Sequence, residues 1–222
     1  MTVAVLHYIY DPLCGWCYGA APLLTIAREI PGLSIEMHAG GMCVGNDRRP
    51  ITPKVRDYVL RHDQRIAAVT GQVFGEPYLS ELLFDESETL DSEPPTTAIL
   101  AAQAMSSDGL EMLKRIQMAH FIDGRRISRR ATLIDIAAEM DLDREAFAAS
   151  FDLFRGEFTM NHIEETRRLM YAVGATGFPT FLLAVKEGFH YLDTSRYLAR
   201  PLEWRDYLLE RMASDPPVDS TW

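Results

Sequence analysis

Cysteine is scarce, with three in 222 residues, basic residues are outnumbered 22 to 32, and no apolar run comes near membrane-spanning length. Three cysteines are too few for the disulfide framework on which small secreted domains rely. The net charge of −10 argues against a nucleic-acid partner, because phosphate binding needs a concentration of Lys and Arg. The one dense basic cluster, Arg125-Arg126 and Arg129-Arg130, reads as a solvated helix end or loop. No basic, apolar and small-residue leader separates Met1 from the first predicted strand. The chain is therefore expected in the cytoplasm, where thioredoxin and glutathione hold dithiols mostly reduced.

Two of the three cysteines stand together as Cys14-Gly15-Trp16-Cys17. Ahead of them, Val3 to Tyr10 is rich in β-branched and aromatic residues and stops at Asp11-Pro12, which reads as a strand end. After them, Ala20, Ala21, Leu23, Leu24, Ala27 and Ile30 recur at helical spacing. This predicts Cys14 at a helix N-terminus with Cys17 in the first turn. Unpaired N–H groups and the helix dipole stabilise an anion there, lowering the Cys14 pKa below about 8.5. The thiolate attacks disulfides, and a thiol two residues on resolves the mixed disulfide. Three other readings compete. Zinc needs four ligands, whereas the motif supplies two, and Cys43 and the six histidines show no second pair at ligand spacing. A structural disulfide across so short a loop constrains the unfolded chain little. Two inert thiols packed as small hydrophobes are the third alternative. The strand-to-helix setting favours the redox motif.

Leu33 to Ala39, between Pro31-Gly32 and Gly40-Gly41, predicts a second strand, parallel to the first across the intervening helix. From about Asn46 to Val173 the pattern is helical, with no convincing strand. Helices are predicted over Pro53–Thr70, Pro95–Met105 and Leu110–Ile122, from a Thr132/Asp135 capping box, from Asp143 to Phe151, and over Gly156–Val173 with Gly174 as the stop. Asp85–Pro95 reads as an exposed connection. Thr180–Val185 and Gly188–Leu192 form a predicted hairpin across Lys186-Glu187. A helix over Pro201–Met212 places Leu202, Tyr207, Leu208 and Met212 toward the sheet, and the tail from Asp215 to Trp222 frays. The predicted division is residues 1–45 with 174–222 as one domain and 46–173 as an all-helical insertion.

The order strand, C-x-x-C helix, strand, helical block, Phe-Pro-Thr, hairpin, helix resembles the DsbA superfamily, an α/β thioredoxin-like fold with a large helical insertion. Asp11-Pro12-Leu13-Cys14-Gly15-Trp16-Cys17-Tyr18-Gly19 with Gly177-Phe178-Pro179-Thr180 resembles more narrowly its FrnE-like group of protein-disulfide isomerases. The resemblance spans nearly the whole chain and implies a thiol–disulfide oxidoreductase, acting as oxidase, reductase or isomerase, in which Cys14 attacks and Cys17 resolves. It also implies that Pro179 follows a cis bond beside the dithiol, with Phe178 aligning an extended substrate and Gly15-Trp16 contributing contacts. The redox-active Cys14–Cys17 pair replaces any cofactor, no metal is implied, and the partners are protein or peptide thiols and disulfides, with glutathione as a further candidate.

Two positions depart from the pattern. Many thioredoxin folds carry a buried acid six residues before the first cysteine, where this chain has Tyr8, so Asp11 becomes the candidate proton acceptor, against a turn role for Asp-Pro. Gly15-Trp16 matches neither thioredoxin nor DsbA, which leaves the redox direction open. Trp16 and Tyr18 either dock peptide or pack beneath the insertion, Cys43 is an auxiliary or an inert thiol, and the histidines read as scattered singly. The alternative function is a glutathione-linked transferase or isomerase of the kappa-transferase or hydroxychromene-isomerase type, chemistries that need no resolving thiol.

Overall fold

A run of β-branched and aromatic residues makes Ala4–Tyr10 a strand (β1), with Leu6, Tyr8, Ile9 and Tyr10 buried. These positions come from a computed structural model that describes residues 4–105, 108–185 and 188–214. Val3, the expected Lys186-Glu187 turn and the tail from Asp215 lie outside the described residues. β1 is followed by α1 (Gly15–Gly19), α2 (Ala21–Arg28) and β2 (Leu33–Ala39), which pairs parallel to β1 from Ala4↔Leu33 to Tyr10↔Ala39.

The single helix expected after the dithiol is broken at Ala20, between α1 and α2. The cause is Pro22, which has no N–H to offer the preceding turn. The Tyr18 carbonyl so released accepts from Gln72 Nε2 at 2.9 Å.

Between β2 and the last strands lie α3 (Pro53–Thr70), α4 (Glu93–Ala104), α5 (Gly109–Phe121), α6 (Arg130–Ala138), α7 (Arg144–Phe154) and α8 (Glu157–Val173). Thr52, Asp108 and Asp143 cap α3, α5 and α7 through their side chains. Gly71 and Gly174 end α3 and α8 at φ 75° and 69°, the left-handed conformation glycine adopts without strain. α4 is buried along most of its length and packs against α5, α6, α7 and α8.

Three expectations for this block are corrected. Arg49–Pro50 (β3) and Thr89–Leu90 (β4) form a short antiparallel pair where only helices were expected. A π-helical turn, Pro77–Glu81, and a 3-10 turn, Leu82–Phe84, fill part of the stretch between α3 and β4. α6 starts at Arg130 after an Arg129 that makes no side-chain cap, so Thr132 and Asp135 lie inside it, and Asp135 accepts from Arg144 instead. Finally, 85–95 is no exposed connection: Ser92 and Glu88 are buried. Glu88 pairs with Arg126 and Arg129, Asp85 with Arg126, Glu139 with Arg125 and Asp152 with Arg130. The arginine cluster is thus paired rather than free in solvent.

The chain returns to the sheet with β5 (Thr180–Val185) and β6 (Gly188–Leu192), both antiparallel to their neighbours, in the order β2-β1-β5-β6. α9 (Pro201–Ser214) closes the core through Trp204 and Leu208 and packs against α2. Leu202, expected to face inward, is 59% exposed, and Trp204 takes the core position.

Candidate active site

The site is built where β1 ends. Asp11 Oδ1 accepts from Leu13 N at 2.9 Å, and the Asp11 carbonyl accepts from Cys14 N at 3.1 Å, so the Asp-Pro turn delivers Cys14 to the helix start. Cys14 is the N-cap of α1, and Cys17 N–H donates to its Sγ at 3.3 Å. A sulfur anion at Cys14 would thus have a backbone donor in place. Cys14 is 6% exposed and Cys17 is fully buried behind it. Burial, followed by the hydrogen bond and charge of Cys14, pushes the Cys17 thiol well above its ordinary range. All three cysteines are free thiols.

The Phe178-Pro179 loop meets the dithiol from 164 residues away. The Phe178–Pro179 peptide is cis, the geometry the resemblance implied, and the Cys14 thiol donates to the Phe178 carbonyl at 3.6 Å. Phe178 can sit there because residue 40 is glycine: a Cβ on Gly40 would stand 2.2 Å from the ring. Arg167 on α8 holds the same corner, donating to the carbonyls of Gly40 at 3.1 Å and Gly41 at 2.6 Å.

Gly15 allows α3 to approach, since a Cβ there would meet Ile66 Cδ1 at 2.7 Å and Asp63 Oδ1 at 2.9 Å. Trp16 is half-buried, with the Arg65 guanidinium 5.9 Å from its ring centre. Tyr18 packs beneath the helical block rather than presenting a docking face: its ring stacks on Phe121 at 4.9 Å and its hydroxyl donates to the Val73 carbonyl at 2.8 Å. Tyr8 is fully buried, and desolvation, reinforced by the nearby thiols, keeps its hydroxyl protonated.

Asp11 is fully buried and anchors two distant segments. Besides Leu13 N, its carboxylate accepts from Met42 N at 2.5 Å and from Ser92 Oγ at 3.0 Å. Burial raises its pKa, with the three donors and the Arg167 charge acting against that rise. Ser92 also accepts from Cys43 N at 3.1 Å. Cys43 is 1% exposed and burial pushes its thiol up to about 12, so it packs as an enclosed, protonated thiol. Ser92, Gly40, Arg167 and Asp63 were not singled out in the sequence. The Gly40-Gly41 doublet was the one local signal, read there only as a strand end.

The histidines are not all single. Among the described residues one group of three metal-capable side chains comes together, His7, Glu36 and His38 on β1 and β2, and it includes no cysteine.

A dithiol at the mouth of a helix, beside a cis-proline loop and under a helical block, defines a thioredoxin-fold thiol–disulfide oxidoreductase. The chain belongs to the DSBA-like thioredoxin domain family, whose model matches residues 5–197. It is similar to the cytosolic disulfide reductase DsbM from Pseudomonas aeruginosa, with 48% identity, a TM-score of 0.88, and coverage of 95% of this chain and 99% of that one. The structure of DsbM with GSH matches at 47% identity and TM-score 0.87, covering 94% of this chain and 99% of that one. A candidate protein disulfide isomerase from Nitrosomonas europaea, 23% identical with a TM-score of 0.77 over 96% of this chain and 98% of that one, shares the fold. No curated protein matches the chain.

Proposed function

We propose that this protein is a cytoplasmic disulfide reductase driven by glutathione. The Cys14 thiolate attacks a substrate disulfide, forming a Cys14 mixed disulfide and expelling the first substrate thiolate. Cys17 then attacks the Cys14 sulfur, expelling the second thiolate, and the Cys17 proton passes to that leaving group. The substrate gains two electrons and the enzyme holds the Cys14–Cys17 disulfide. Two glutathione thiols restore the dithiol: the first forms a mixed disulfide with Cys14, and the second releases it as oxidised glutathione. The cysteine pair carries the electrons without a bound cofactor.

The observation that carries this reading is the asymmetry of the dithiol. Cys14 faces the Phe178 carbonyl at the helix mouth, while Cys17 is enclosed with its pKa raised. The backbone of Phe178 offers an extended peptide a pairing edge next to the attacked sulfur, with Trp16 and Gly15 at the rim and Pro179 fixing the loop. Asp11, its oxygens already engaged by three donors, holds the loop rather than taking the Cys17 proton. Residues 46–173 act as an insertion covering a thioredoxin-like unit of residues 1–45 and 174–222. Support for the reductive direction and for glutathione comes from DsbM, a cytosolic disulfide reductase whose structure has been determined with GSH.

The test is an assay coupling reduction of a disulfide-linked peptide to formation of oxidised glutathione. Glutathione-dependent turnover that disappears in Cys14→Ser is expected. Net oxidation of a reduced peptide by the disulfide form, with no glutathione-driven turnover, would contradict the reductive direction.

A further inference from the structure

The parallel register of β1 and β2 places His7 opposite Glu36 and Ile9 opposite His38. Because alternate strand residues share a face, His7, Glu36 and His38 project from the same side of the sheet. That side is opposite the one on which Tyr8 lies buried in the core. Residues 31 apart in sequence thereby come into contact: His7 Nδ1 lies 2.9 Å from His38 Nε2, and the rings stack at 5.1 Å. Glu36 spans both, with Oε1 3.6 Å from His38 Nε2 and Oε2 3.8 Å from His7 Nδ1. The two imidazoles are largely enclosed, their side chains 12% and 16% exposed, and Glu36 stands at the mouth at 59%. Phe189 of β6 closes one side, edge-on to His7 at 4.9 Å.

Those separations match a coordination polyhedron. Zinc bonds of about 2.0–2.2 Å to nitrogen and oxygen in a tetrahedron require ligand-to-ligand edges of about 3.3–3.6 Å. The observed separations of 2.9, 3.6 and 3.8 Å lie within about half an ångström of that value, the two longer ones ending on different oxygens of Glu36, so one oxygen has to turn toward both rings as an ion binds. A hydrogen bond between the rings accounts for the shortest edge, but not for a carboxylate placed across both ring nitrogens. His162 on α8 is nearby, but its Nε2 accepts from Ala39 N at 3.1 Å, so that atom is already engaged.

We propose that His7 Nδ1, His38 Nε2 and the Glu36 carboxylate form a binding site for a divalent transition-metal ion of the zinc type, with the fourth position open to water. The donor set of two imidazoles and one carboxylate selects zinc, cobalt or nickel over magnesium and calcium, which take all-oxygen sites. A bound ion would staple β1 to β2 on the face away from the dithiol. It would stabilise the fold by binding only the folded chain, separately from the exchange reaction.

The test uses the full chain oxidised to its Cys14–Cys17 disulfide, so that no active-site thiolate competes for metal. Zn2+ is titrated in competition with a chromogenic chelator, and Co2+ is added separately for its visible spectrum. The expected result is one equivalent of Zn2+, and Co2+ bands of a nitrogen–oxygen site without a thiolate charge-transfer band. His7→Gln and His38→Gln should each weaken binding at least tenfold, and His62→Gln should leave it unchanged. No bound Zn2+, or an affinity equal in all three variants, would overturn the proposal. If a variant fails to fold, histidine ring resonances of the unsubstituted chain decide. Zn2+ should shift those of His7 and His38 and not His62, and any other pattern overturns the assignment.

Discussion

Asp63→Asn should stabilise the protein at neutral pH and leave it unchanged in acid. Asp63 sits on α3 at 4% exposure, with Oδ2 accepting from the Tyr78 hydroxyl at 2.8 Å and Oδ1 against the Gly15 backbone. Burial pushes its carboxyl from 3.8 up to about 6, with the Tyr78 hydrogen bond acting against the rise. Between about pH 4 and about pH 6 the folded chain keeps a proton that the unfolded chain has released. Stability from this group therefore falls as pH rises through that window and stays low above it. A shift of about two units corresponds to about 3 kcal/mol. Asparagine keeps an oxygen for Tyr78 and carries no charge to desolvate. Urea unfolding of parent and variant at pH 4.5, 5.5, 6.5 and 7.5 measures the effect as a difference, in which the buried histidines, present in both chains, cancel. The variant should gain about 1–3 kcal/mol at pH 7.5, with the gain shrinking toward pH 4.5. A difference independent of pH, or a variant less stable at pH 7.5, would refute the argument.

Three further outcomes follow from the packing around the dithiol. Gly40→Ala puts a Cβ 2.2 Å from the Phe178 ring, so the loop over Cys14 must shift. Steady-state kinetics should show disulfide exchange slowed by about tenfold or more, while Cys14 still reacts with iodoacetamide. Asp11→Asn turns an amide NH2 toward one of the donors now serving the carboxylate, Leu13 N, Met42 N or the Ser92 hydroxyl. Chemical denaturation should show a loss of about 1–3 kcal/mol at pH 7. Cys43→Ala removes a buried thiol that is held protonated, with a pKa pushed up to about 12; turnover should match the parent enzyme, at a stability cost of about 1 kcal/mol for the deleted atom.

The thioredoxin-like strands and the dithiol helix were legible because each announces itself locally. Val3 to Tyr10 is rich in β-branched and aromatic residues, Asp11-Pro12 punctuates, and Cys14 to Cys17 marks the helix start. What escaped notice depends on contacts between distant residues. β3 and β4 are two residues each, too short for any periodicity, and exist because the chain brings Arg49-Pro50 beside Thr89-Leu90. The 85–95 segment looks like solvent-facing loop by composition, yet Ser92 turns inward to bond Asp11, 81 residues earlier. The capping box at Thr132 misled because Arg130 pairs with Asp152 and α6 begins there without a side-chain cap. His7 and His38 looked unrelated until strand register set them 2.9 Å apart.

Attack by Cys14 and resolution by Cys17 are separated by trapping. Cys17→Ser and Cys14→Ser proteins are incubated with oxidised glutathione at pH 7, quenched with acid, and digested for peptide mass analysis. One stable glutathione adduct is expected on Cys14 of Cys17→Ser, formed quickly because the exposed edge of Cys14 faces the Phe178 carbonyl. Almost none is expected on Cys17 of Cys14→Ser, because that thiol is fully buried with its pKa raised. Equal adduct yields at the two positions, or an adduct on Cys43, would contradict that order of attack.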